Sequence, residues 1–129
     1  MSKMEAVKPT DAGRSAVREW LEEMLESPKY EFPQFPVALS NLMMLLPQEA
    51  ERVLKRRVEA LTETLPGLDA SLAQEAESGL PRVTMLESEY LRVVTEAELA
   101  WVGSVVDDLE RGRLTWDGTS LRAFAAQVS

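Results

Sequence analysis

From Val83 to Arg113 the stretch VTMLESEYLRVVTEAELAWVGSVVDDLERGR carries no proline and keeps its apolar residues three or four apart, which leaves little choice but a long helix. Leu86, Tyr90, Val94, Ala97, Trp101, Val105 and Leu109 form one stripe, and Leu91, Leu99, Val102 and Val106 widen it onto a neighbouring face. A helix that is apolar over so much of its circumference needs partners on two sides. Thr84 with Glu87 has the form of a capping box, so the helix is expected to start near Thr84. Gly112 supplies the stop at C′. Arg111 and Arg113 suit the negative end of the helix dipole, whereas Asp107, Asp108 and Glu110 oppose it.

A second long segment precedes it. Opened by Pro47, it places Leu54, Val58, Leu61, Leu65, Leu68 and Leu72 in a heptad seam, which predicts coiled-coil-like packing against another helix. Pro66-Gly67 crosses that seam. A proline inside a helix costs about 3 kcal/mol, so a break or sharp kink is expected there, with residues 68–77 resuming on the same side. Gly79 and Pro81 punctuate the connection that follows.

Nearer the start, Pro9 to Gly13 reads as a helix N-terminus with Thr10 as the cap. Val17, Trp20, Leu21, Met24 and Leu25 then give an apolar face that ends before Pro28, backed by Arg14, Arg18, Glu19, Glu22, Glu23 and Glu26. PKYEFPQFP is too rich in proline for a helix and too aromatic for a free linker, and is expected to lie extended across the core. Pro36 then opens a short helix with Leu39, Leu42, Met43 and Leu46 facing inward, ending at Pro47. After Trp116 a weakly amphipathic tail either docks or frays.

These patterns make the chain all-α, and 129 residues make it one domain at most. That length buries less than four or five helices require, so burial against a second copy would help. The chain has no Cys and no His. Their absence removes the usual zinc and haem ligands, the thiol and Ser-His-Asp nucleophiles and the default general base. Its carboxylates lie on solvated helix faces, and no glycine-rich phosphate cradle is present. These features argue against an enzyme, and no cofactor is expected. A net charge of −8 opposes phosphate binding, and the one basic cluster, Lys55-Arg56-Arg57, is surrounded by glutamates. No apolar run approaches the roughly 20 residues of a membrane span and no signal peptide precedes the first helix, so a cytoplasmic protein is expected.

Taken in order, PTDAGRSAVREWL, EFPQFPVALSNLMMLLP, a long charged helix and LESEY…EAELAWV…DLERGRLTWD resemble the C-terminal region of PadR-type transcriptional regulators, from about Val7 to Asp117. The resemblance implies an antiparallel long-helix dimerisation domain preceded by a remnant of a winged-helix wing strand. Residues 1–12 would be the wing remnant and junction, 13–117 the dimerisation and effector domain, and 118–129 a tail. It implies a homodimer built on Val17, Leu21, Leu86, Tyr90, Val94, Ala97, Trp101, Val105 and Leu109. A small aromatic effector would stack on Trp20, Phe32, Phe35, Tyr90 and Trp101. The helices that hold a recognition helix have no counterpart in this sequence, so no residue is assigned to DNA. A heterodimer with a full-length relative is a further expected partnership. The alternative reading is a helical small-molecule-binding or adaptor protein with no role at DNA.

Overall fold

The computed structural model describes residues 10–28, 34–117 and 126–127. Among these residues every regular element is a helix and there is no strand, as the periodicities require. The chain divides into two compact units, residues 1–39 and 40–129.

In the first unit, α1 spans Asp11–Glu26. Thr10 caps it as expected, its hydroxyl oxygen accepting the Gly13 N–H at 3.0 Å, and Asp11 sits favourably in the first turn. The helix stops at Ser27, because the residue before Pro28 is pushed out of the helical region. Val17, Trp20, Leu21, Met24 and Leu25 all remain exposed on one stripe. α2, Gln34–Ser40, begins two residues before Pro36. The extended course expected for PKYEFPQFP therefore does not hold for Gln34 to Pro36; the rest of that motif from Lys29, with Phe32, lies outside the described residues. Nor does the short helix run through to Pro47. It ends at Ser40, and Leu42–Met44 form a separate 3₁₀ turn. The wing strand expected over residues 1–12 falls mostly outside the described residues, and Asp11 and Ala12 are helical.

The second unit is a helical hairpin. α3, Pro47–Glu77, is 31 residues long and α4, Leu86–Glu110, is 25, which makes them roughly 46 and 37 Å. Pro47 takes the first helical position, where its missing N–H costs nothing, and Glu49 reaches back so that its Oε1 accepts the Leu46 N–H at 2.9 Å. Lys55 with Glu110, Arg57 with Glu98, Asp69 with Arg92 and Glu75 with Ser88 pair across the two helices. Positions that rise on α3 fall on α4, so the helices are antiparallel.

The expected break at Pro66 is absent: α3 is continuous through Pro66 and Gly67. Leu61, Leu65, Leu68 and Leu72 are each partly buried along the seam. At about 1–2 kcal/mol apiece they outweigh a proline penalty of about 3 kcal/mol. Local propensity yields to packing.

α4 begins later than its sequence suggests. Residues Arg82–Met85 form a 3₁₀ turn, and the Thr84 hydroxyl donates backward to the Pro81 carbonyl at 2.7 Å, leaving the capping box with Glu87 unmade. At the far end Gly112 adopts φ 73°, the Gly112 N–H reaches the Leu109 carbonyl, and the Arg113 N–H reaches the Asp108 carbonyl. That is a Schellman stop. A Cβ at Gly112 would meet no atom within 4 Å, so Gly112→Ala tests backbone strain alone. It should lower stability by about 1–2 kcal/mol in thermal unfolding. An unchanged midpoint would mean that the chain does not turn at this residue.

Candidate functional site

The buried residues of the hairpin are Ala50, Leu54, Val102, Val106 and Leu109, all at the end away from the loop joining the helices. Toward that loop, no residue is fully buried. The reason lies in how α4 spends its two faces. At 100° per residue, Ser88, Arg92, Thr95, Leu99, Val102, Val106 and Leu109 share the side turned to α3, and all are partly or fully buried. Three of the four nearest the loop are polar. Leu86, Tyr90, Val93, Val94, Ala97 and Trp101 lie roughly 160° away, on the outside. Tyr90 is 67% exposed, Val93 63% and Trp101 51%.

The stripe expected to form an interface is thus split by helical geometry. Steps of four residues each advance 40° around the axis, so a line drawn from Leu86 to Leu109 winds from the outer face to the inner one. Leu86, Tyr90, Val94, Ala97 and Trp101 remain outside. Val105 is partly buried on the flank and Leu109 belongs to the core against α3. Val93 was missed in the sequence; it continues the outer face because it lies three residues from Tyr90 and four from Ala97. Val17 and Leu21 are exposed on α1, in the other unit.

Polar pairs hold the hairpin together from its middle to the loop. Arg92 bridges Asp69 and Glu96, the Arg57 Nε–H donates to Glu98 at 2.7 Å, and the Ser88 hydroxyl donates to Glu75 Oε1 at 3.3 Å. The second carboxylate oxygen of Glu75 is buried without a hydrogen-bond partner. Arg82 makes a two-armed contact with Glu89, and that bond holds the Glu89 carboxyl below its usual range. Such partly solvated pairs contribute little stability each, but they fix register. Lys55 joins Glu110 and Glu51, and those bonds raise its pKa, Glu110 contributing most. Two of the three residues of the basic cluster are therefore committed to carboxylates.

At the end of α4 the apparent clash between acidic residues and the helix dipole is resolved by pairing. Arg111 bonds Asp107 at 2.8 Å, and Arg113 bonds Asp107 at 2.6 Å and Asp108 at 2.8 Å. The bond from Arg111, with that from Arg113 in support, lowers the Asp107 pKa.

The aromatic residues expected to receive an effector are distributed over both units. Trp20 and Phe35 belong to the first unit, Tyr90 and Trp101 to the second, and Phe32 lies outside the described residues. Tyr90 and Trp101 are on one face but three turns apart, roughly 16 Å along the axis, too far for one planar ring to stack on both. Among the described residues no cluster of three or more His, Cys, Asp or Glu has metal-binding geometry, and no helix is long and apolar enough to cross a membrane. No protein-family model, curated protein or solved structure matches the chain.

Proposed function

We propose that this chain is the dimerising module of a PadR-like transcriptional regulator, and that the outer face of α4 is the surface through which it associates. The carrying observation is the apolar row Leu86, Tyr90, Val93, Val94, Ala97 and Trp101, set on the side of α4 opposite α3 and left open to solvent. Contiguous exposed apolar surface of this kind marks an interaction site. A second copy is the fitting occupant, because two copies related by a twofold axis would cover each other's tyrosine and tryptophan. The thin core gives the same preference: a hairpin with five buried side chains gains most from more burial. On this reading α1 offers Val17 and Leu21 as further apolar surface.

The chain's part in DNA binding is to pair reading heads, with no contact of its own to the groove. Its charge of −8 and the carboxylate partners of Lys55 and Arg57 support that division of labour. A gel-shift titration tests it. The isolated chain should form no complex that survives added salt. In excess over a full-length PadR-like regulator with a matching helical domain, it should deplete that regulator's operator complex by forming dimers with one reading head. Salt-resistant, sequence-specific binding by the chain alone, or an operator complex undiminished at large excess, would overturn the proposal.

A further inference from the structure

The segment after α4 makes a contact that neither the hairpin nor the association surface requires. Trp116, partly buried, donates its indole N–H to the Leu45 carbonyl at 2.8 Å, across 71 positions of sequence. Leu45 stands between the 3₁₀ turn at Leu42–Met44 and Leu46, the N-cap of α3. The α3 ladder begins with the Leu46 carbonyl, bonded by the Ala50 N–H at 2.9 Å, so the carbonyl just before it is the one the indole takes. The other end of the segment is anchored as well. The Arg113 and Leu114 N–H groups both reach the Asp108 carbonyl, at 2.9 and 3.1 Å, and the Arg113 guanidinium holds Asp107 and Asp108.

We propose that residues 111–117 form a clasp: Arg113 fixes one end to the last turn of α4, and Trp116 fixes the other to the turn that delivers the chain into α3. The clasp makes the order of residues 42–46 depend on side chains at the opposite terminus of the hairpin. Residues 42–46 and 111–117 both belong to the second compact unit, so the clasp closes within it. Without the indole bond, the turn would be held by the short-range Met44-to-Asn41 and Leu45-to-Leu42 bonds and by the Glu49 carboxylate on Leu46.

Amide hydrogen exchange on the full chain, read by peptide mass, distinguishes this device from ordinary packing. Trp116→Phe keeps most of the ring and removes the donor. Arg113→Gln opens the charged end without touching Leu45. Each should accelerate exchange over residues 42–50 by about three- to tenfold, the range of one hydrogen bond's net contribution, while residues 60–75 keep their rates. Unchanged exchange at 42–50 in Trp116→Phe would overturn the proposal. So would equal acceleration at 60–75, which would mean general destabilisation. Exposure of 42–50 by Trp116→Phe with full protection in Arg113→Gln would also overturn it, since the charged end would then have no part.

Discussion

If the outer face of α4 pairs two copies as proposed, Trp101→Glu should leave the protein monomeric at micromolar concentration with its helices in place. Trp101 is half-exposed on the outer face of α4, and Ala50, Leu54, Val102, Val106 and Leu109 make the intramolecular core without it. The substitution therefore attacks association and spares the fold. Truncating an aromatic anchor at the centre of an interface costs about 2 kcal/mol or more, and a glutamate desolvated there without a partner adds to this. In an isologous dimer the change occurs twice, so the loss should exceed about 4 kcal/mol, roughly a thousandfold in Kd. Val94→Glu, on the same face, should act in the same direction. Sedimentation velocity gives the assembly state and far-UV circular dichroism the helix content. A monomeric, fully helical wild type would end the association proposal, and so would a Trp101→Glu variant that sediments as a dimer.

The two long helices were legible in the sequence because hydrophobic periodicity reports burial directly. Leu54 to Leu72 read as a seam, and Leu54, Val58, Leu61, Leu65, Leu68 and Leu72 are each buried or partly buried on α3. Gly112 and Thr10 were legible for a different reason: a left-handed stop and a side-chain cap are decided within four or five residues. Thr84 shows where such local rules fail. Its hydroxyl has two competing partners, the Glu87 backbone ahead and the Pro81 carbonyl behind, and the tight turn after Pro81 selects the second. The outer face of α4 was only half legible, since a stripe read as one surface winds around the axis and ends at Leu109 in the core. Glu98, like the other carboxylates, looked like solvated surface, because the pattern on one helix says nothing of which charges its neighbour presents. The Trp116-to-Leu45 bond, with 71 positions between its ends, left no periodic trace at all.

Pro66 supplies a second large effect, of opposite sign. α3 passes through it unbroken, so the helix carries the lost bond to the Thr62 carbonyl and the crowding of the ring against the preceding turn. The hydroxyls of Thr62 and Thr64 donate to the Val58 and Ala60 carbonyls, at 2.7 and 2.9 Å. Pro66→Ala restores a donor at that site and removes the clash. Against a helix-interior proline cost of about 3 kcal/mol stands the extra freedom an alanine gives the unfolded chain, about 0.4–1 kcal/mol. The net should be a gain of about 2 kcal/mol, raising the thermal midpoint by roughly 5–10 °C at fixed protein concentration. Pro66 is exposed, and so is Gly67 beside it, where a Cβ would meet no atom within 4 Å, so neither site needs the core to repack. Gly67→Ala should accordingly add stability of its own, up to about 1 kcal/mol. A Pro66→Ala variant that melts below the wild type would show that α4 packs against a course of α3 that only the proline can impose, and the leucines from Leu61 to Leu72 would then owe their burial to the residue that seemed to interrupt them.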